Sequence, residues 1–192
     1  MVEAAWNGHQ VLVCRTGYTG ERGFELIAPS EALGTLWDAL VGEAATVGGG
    51  PAGLGARDTL RTEMGYPLHG QDISTATNPV EAGLGWAVGW DKPVFFGRDG
   101  LLAVKASGPA RRLRGVKVVG RGIPRPHMDV YRDGTQVGET TSGTFSPTLR
   151  QGIALAYLPA EIAVGDFEQV DVRGTLVDAE VVTLPFVPLH VR

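Results

Sequence analysis

The sequence predicts an α+β protein in which a mixed region of helices and strands precedes a small all-β region. The chain of 192 residues carries 28 glycines and 12 prolines, a content that favours short strands and tight turns over a helical bundle. From Leu113 onward, short apolar runs recur between turn signals, including an Asp133-Gly134 hairpin turn. This spacing of strands predicts a small barrel or sandwich. Helical spacing of apolar residues occurs earlier, at Leu33, Leu36, Trp37, Leu40 and Val41.

Composition and charge exclude several classes of protein. The formal net charge is −4 and the pI is near 5.6, which argues against nucleic acid as the main partner. No apolar run approaches the roughly 18 residues that cross a bilayer, and no signal peptide is visible at the N-terminus. Cys14 stands alone, so neither an internal disulfide nor a cysteine metal cluster is expected. With a single cysteine, the cytoplasm is the expected compartment. The four histidines lack metal-ligand spacing.

The segment Ser107-Gly108-Pro109 is the strongest boundary signal, and it divides the chain into residues 1–106 and 107–192. In the first part, Ser30 is the expected N-cap of a helix, and further short helices are expected over residues 56–64 and 99–106. In the second part, residues 141–148 are rich in serine and threonine and are expected to form a loop.

A glycine-rich stretch at residues 15–26, RTGYTGERGFEL, joins two apolar runs and predicts a tight strand-turn-strand element. Glu25 lies between Phe24 and Leu26 in the second run, and therefore faces away from both. One interpretation is a hairpin with an exposed carboxylate. The other is a ligand-binding wall to which Tyr18 also contributes. Local sequence patterns do not decide between these two interpretations.

Three further groups of residues have both an ordinary structural interpretation and a functional one. Arg57 and Arg61 share one helical face, which indicates either a solvated surface or an anion site. Trp86 lies between small residues in a strand-like run, and composition favours a core position over a stacking surface for a flat ligand. The basic stretch from Arg111 to Arg125 is either a solvated strand face or an attractor for carboxylates.

Six motifs, taken in order, resemble the aminomethyltransferase family, the T-protein of the glycine cleavage system. They are RTGYTGERGFEL (15–26), GLGARDTLRTEMGYPLHGQDI (53–73), NPVEAGLGWAV (78–88), KPVFFGRDGL (92–101), VGETTSGTFSPTLRQGIALAYLP (137–159) and PFVP (185–188). The resemblance implies part of a folate-binding α/β region followed by an antiparallel β-barrel. It also implies transfer of a methylene unit from an aminomethyl group on the lipoylated H-protein to tetrahydrofolate, with release of ammonia.

Carried over residue by residue, the resemblance assigns the pterin-binding carboxylate to Glu25 rather than Glu21. It assigns a folate-binding arginine to Arg57 and an aromatic contact to Trp86, with Tyr18 in the same motif as Glu25. A further family arginine near the start of the barrel is assigned to Arg112, with Arg111 and Arg114 as competing positions. A carboxylate can accept hydrogen bonds from the row of N–H donors on a pterin edge, which is consistent with these residue types.

The resemblance covers only the C-terminal half of the family, and the catalytic aspartate of the family has no counterpart here. We therefore expect no catalytic residue in this chain, and weak folate binding with negligible transfer by the chain alone. A truncated gene, a wrongly assigned start and a split subunit with a separate N-terminal half each account for such a chain. The alternatives are the folate domain of a related demethylase or of a dimethylglycine or sarcosine dehydrogenase, and a non-catalytic folate-binding module.

Overall fold

The computed structural model describes residues 1–190, which pack as two compact units. The first unit comprises Met1–Leu60 together with Leu189 and His190, and the second comprises Arg61–Pro188. Helix α2 (Leu54–Glu63) contributes residues to both units. No helix within residues 1–190 has the length and apolar character to cross a membrane.

The first unit is a three-stranded antiparallel sheet with one long helix. Strands β1 (Val2–Trp6), β2 (His9–Cys14) and β3 (Glu25–Ile27) are adjacent in that order. Asn7 and Gly8 join the first two strands with φ of 47° and 83°, which is the backbone geometry of a two-residue hairpin turn. Residues 15–24 join β2 to β3, so the connection is a long loop and not the tight turn that the glycines predict.

Helix α1 (Ser30–Thr46) packs on this sheet through one of its faces. Ala32 and Leu36 are buried one turn apart, and Val11 on the sheet is buried too. The indole N–H of Trp6 donates a hydrogen bond of 3.1 Å to the Thr35 hydroxyl. The predicted Ser30 cap is wrong, because Ser30 is already helical and Pro29 precedes it with an extended backbone and no side-chain cap.

The second unit is a closed barrel of six antiparallel strands in the order β4-β7-β6-β5-β8-β9. Its strands are β4 (Arg111–Val118), β5 (Asp129–Arg132), β6 (Thr135–Ser146), β7 (Gln151–Pro159), β8 (Phe167–Asp171) and β9 (Leu176–Val182). The α+β prediction is confirmed, and closure by pairing of β4 with β9 makes the all-β region a barrel. Short apolar side chains fill its interior, among them Val116, Val130, Ala154, Leu158 and Val181.

Between α2 and the barrel lie a 3-10 helix (Gly85–Ala87) and helix α3 (Arg98–Ser107). The strand-like run predicted around Trp86 is therefore wrong, and a helical turn flanked by glycine-rich loops takes its place. The Ser-Gly-Pro segment follows α3 and precedes β4, but a division into domains at that point stays a prediction.

A buried polar network links the end of α2 to strand β6 within the second unit. Arg61 is 1% exposed, and its guanidinium lies 2.6 Å from the Asp72 carboxylate. The Ser142 hydroxyl accepts a hydrogen bond of 2.8 Å from Arg61 and donates one of 2.8 Å to Asp72. Glu63 is 3% exposed and accepts a hydrogen bond from the Ser146 hydroxyl.

This network corrects two predictions. The expected loop at residues 141–148 is wrong over its first part, because β6 continues to Ser146. The hydroxyls of Thr141 and Ser142 donate to the Asp72 carboxylate and that of Ser146 donates to Glu63, so these side chains can lie in a strand without leaving polar groups unpaired. The solvated-face interpretation of Arg61 is also wrong, because a buried carboxylate pairs with it.

Candidate functional site

In the first unit, the two residues that flank the loop at residues 15–24 are paired with each other in the sheet. Cys14 lies opposite Glu25 in the register of β2 and β3, so the two ends of the loop are adjacent. The Thr16 hydroxyl donates a hydrogen bond to the Glu25 carboxylate. Glu25 and Ile27 are exposed on one face of the strand, and Leu26 is half-buried on the other. The carboxylate is therefore solvent-accessible and is held by its own loop.

Tyr18 and Arg57 are in contact in the same unit. The guanidinium carbon of Arg57 lies 4.7 Å from the centroid of the Tyr18 ring, which is the geometry of a cation-π interaction. Tyr18 is half-buried, and Arg57 is exposed near the start of α2. Such stacking orients the planar guanidinium, whose N–H groups are suited to donate to an anionic or carbonyl group.

Glu21, the other carboxylate of the loop, has a different environment. Its side chain lies 3.1 Å from Nδ1 of His190, and the backbone N–H of His190 donates a hydrogen bond of 3.0 Å to the Gly20 carbonyl. Gly20 has φ of 76°, a backbone conformation that side chains disfavour. Glu21 thus tethers the middle of the loop, whereas Glu25 presents its carboxylate from the strand.

Trp86 and Arg112 belong to the second unit. Trp86 is 83% exposed, so the core position that composition favours is wrong, because the short 3-10 turn carries its indole outward. The ring borders a cavity of about 400 Å³ that is also lined by Tyr66, Leu84 and Arg114. An exposed indole beside a cavity is suited to stacking on a flat group.

The three competing arginines at the start of β4 have separate environments. Arg111 is stacked on the Tyr157 ring at 4.7 Å and lies 3.5 Å from the Glu81 carboxylate. Arg112 and Arg114 alternate with Leu113, on the same side of β4 as the interior residue Val116. Burial lowers the pKa of Arg114 below its usual range, and the positive charge of Arg112 lowers it further. The Arg114 Nε is buried and has no hydrogen-bond partner among residues 1–190.

Sequence reasoning missed Thr16 and named Arg114 only as a position that competes with Arg112. The contact of Thr16 with Glu25 depends on the register that pairs Cys14 with Glu25, which no local pattern reveals. Arg114 was one of several arginines in a basic stretch. Strand alternation places it on the same side of β4 as Val116, with Leu113 on the opposite side, and this is the local signal that could have indicated its burial. Among residues 1–190, no group of three or more His, Cys, Asp or Glu side chains is arranged to hold a metal ion.

Two family models match the chain. One, described as the GCVT N-terminal domain, matches residues 1–92, and the other, the glycine cleavage T-protein C-terminal barrel domain, matches residues 111–188. The aminomethyltransferase of Frankia alni is 61% identical over 188 residues, which are 97% of this chain and 52% of that protein. The aminomethyltransferase of Mycobacterium tuberculosis is 55% identical over 192 residues, which are 99% of this chain and 52% of that protein.

A solved structure agrees with these relatives. The crystal structure of glycine cleavage system aminomethyltransferase T from Bartonella henselae superposes with a TM-score of 0.87 at 33% identity, covering 97% of this chain and 52% of that one. The chain spans about half the length of the curated relatives that it matches. The two adjacent family matches, the identities and the shared fold together show that the chain belongs to the glycine cleavage T-protein family.

Proposed function

We propose that this chain supplies the folate-binding wall and the C-terminal barrel of an aminomethyltransferase. The reaction transfers a methylene unit from an aminomethyl-lipoyl group on the H-protein to tetrahydrofolate and releases ammonia. Membership of the T-protein family supports the reaction class. The observation that carries the assignment to residues is the accessible Glu25 carboxylate, held by Thr16 in the loop that also carries Tyr18.

Each residue has a proposed role that its chemistry supports. Glu25 accepts hydrogen bonds from the N–H donors on the pterin edge, because an ionised carboxylate has two oxygens that can accept side by side. Arg57, oriented by its stacking on Tyr18, binds a carbonyl or carboxylate oxygen of folate. Trp86 provides an aromatic contact for a flat ring, and Arg112 attracts the carboxylates of the folate glutamate tail.

Transfer requires more of the fold than this chain contains. No residue here takes the role of the family's catalytic aspartate, and the reacting groups of an enzyme must be positioned to a fraction of an ångström. We therefore propose that the lipoylated H-protein and the remaining half of the aminomethyltransferase fold are the partners. We propose the cytoplasm as the compartment, since the single cysteine excludes a disulfide framework. Robust methylene transfer by the isolated 192-residue chain would contradict the need for a second half.

The test is an anaerobic titration of tetrahydrofolate into the wild-type chain and into Glu25→Gln, followed by NMR of the ligand because binding by half a pocket is expected to be weak. Glu25→Gln keeps the shape of the side chain but removes its charge, and should weaken binding roughly tenfold. Glu21→Gln is the matched control, since Glu21 lies in the same loop and is paired with His190. Equal affinities for Glu25→Gln and Glu21→Gln would remove Glu25 from the site.

A further inference from the structure

Helix α1 carries a second apolar stripe that the sheet does not cover. Leu33, Trp37 and Leu40 are spaced four and three residues apart, and so lie on adjacent turns of one helical face. Their exposed fractions are 48%, 57% and 47%, whereas Ala32 and Leu36 on the neighbouring face are buried. We call these three residues the α1 stripe.

The α1 stripe differs from the isolated apolar residues that any protein surface carries. Single exposed apolar side chains are normal, but adjacent ones that include a tryptophan form a patch of the kind found at interaction sites. The same unit exposes 64% of Val2 and 59% of Ile27, and both lie on edge strands of the three-stranded sheet. The first unit is therefore a small layer of sheet and helix with apolar surface left uncovered.

The comparisons supply a candidate for the segment that covers the stripe. The Bartonella henselae structure repeats this fold with a TM-score of 0.87 over 97% of the chain, yet the matched part is only 52% of that protein. About half of that protein therefore lies outside the fold described here. Apolar surface that is uncovered here is the surface that packing of that other half would bury.

We propose that the α1 stripe is the docking surface for the part of the aminomethyltransferase chain that these 192 residues do not span, with Trp37 as its central contact. This inference shares with the proposed function only the assignment of the chain to the T-protein family, and it does not depend on the folate-binding residues. The charge of α1 favours a basic partner surface. The helix carries Glu31, Asp38 and Glu43 and no basic residue, so basic side chains on the partner would complement these carboxylates.

The experiment co-expresses the tagged 192-residue chain with the half of the Frankia alni aminomethyltransferase that lies outside the matched region. Co-purified complexes are diluted and analysed by native mass spectrometry to obtain a dissociation constant, without folate. We expect a one-to-one complex for the wild type, and a roughly 30-fold weaker complex for Trp37→Ala, the effect of a central interface tryptophan. Leu33→Asp, which places a charge in the stripe and leaves Trp37 intact, should weaken the complex as well.

Phe167→Ala is the matched control, because Phe167 is 63% exposed on strand β8 of the second unit and lies outside the stripe. Circular dichroism of each variant verifies that the fold is intact. The proposal is overturned if no wild-type complex forms, if Trp37→Ala weakens it no more than Phe167→Ala, or if the stripe instead mediates self-association of the isolated chain. Because no folate is present, loss of the complex is distinguishable from a failure of Glu25 to bind tetrahydrofolate.

Discussion

Replacing Asp72 by alanine tests whether the buried network at the end of α2 is essential to the second unit. Asp72 is 1% exposed and forms an ion pair of 2.6 Å with Arg61, which is also 1% exposed. Its carboxylate further accepts hydrogen bonds of 2.8 Å from the Ser142 hydroxyl and from the backbone N–H of Leu68. Asp72→Ala removes the negative charge and leaves the Arg61 guanidinium buried without it.

The expected loss is about 3–5 kcal/mol in the free energy of unfolding, the range for breaking one partner of a buried ion pair. Among the contacts that Arg61 keeps are hydrogen bonds to the Ser142 hydroxyl at 2.8 Å and the Tyr66 carbonyl at 3.3 Å, and neither of these two groups carries a charge. The ion pair as a whole need not contribute that much, because desolvation of two charges offsets their attraction. The double variant Arg61→Met/Asp72→Leu should therefore be more stable than Asp72→Ala alone.

Urea unfolding of the three proteins, followed by circular dichroism, provides the measurement. Glu180→Ala is the control, because the Lys117–Glu180 pair at 3.1 Å is partly exposed and should contribute no more than about 1 kcal/mol. A loss for Asp72→Ala as small as that of the control would refute the argument that burial makes this charge indispensable. A double variant less stable than Asp72→Ala would show that the pair itself stabilises the fold.

Two further predictions concern the barrel. Burial raises the pKa of Tyr157 above its ordinary value of 10.0, so the unfolded chain loses this proton at a lower pH than the folded protein. The free energy of unfolding should then fall as pH rises above about 10, and less steeply in Tyr157→Phe; parallel alkaline profiles would contradict this. At Gly152, an added Cβ would lie 2.2 Å from a backbone oxygen, so Gly152→Ala should lose at least about 2 kcal/mol in urea unfolding. Gly53→Ala, which has open space around it, should stay within about 0.5 kcal/mol of wild type, and equal losses would disprove the steric explanation.

The strands of the barrel could be predicted with good accuracy from local patterns. The Asp133-Gly134 turn has φ of 50° and 77°, as the dipeptide signal predicts, and it joins β5 to β6. Residues 151–159 form the most buried strand, as expected of an uninterrupted apolar run. The serine- and threonine-rich part of β6 could not be predicted, because its hydroxyls are satisfied by Asp72 and Glu63, which are remote in sequence.

The candidate site was predictable as a set of residue types but not as an arrangement. The position of Glu25 in a strand, facing away from Leu26, followed from alternation. Its hydrogen bond with Thr16 and the stacking of Arg57 on Tyr18 depend on how the loop folds back on its own unit. The roles of these residues toward folate stay predictions, as do those of Trp86 and Arg112.

Arg57 and Arg61 show that a local pattern can place two residues on one helix without revealing their environments. One helical turn apart, both were placed correctly on helix α2, since helical periodicity is a local property. Arg57 is exposed and stacked on Tyr18, whereas Arg61 is buried against Asp72 and Ser142. Burial of a charge depends on the groups that other segments bring to it, and a segment does not encode them. Local patterns predicted the helix that carries both arginines, and the contacts between distant elements decided that Arg57 stays exposed on Tyr18 while Arg61 is buried in an ion pair.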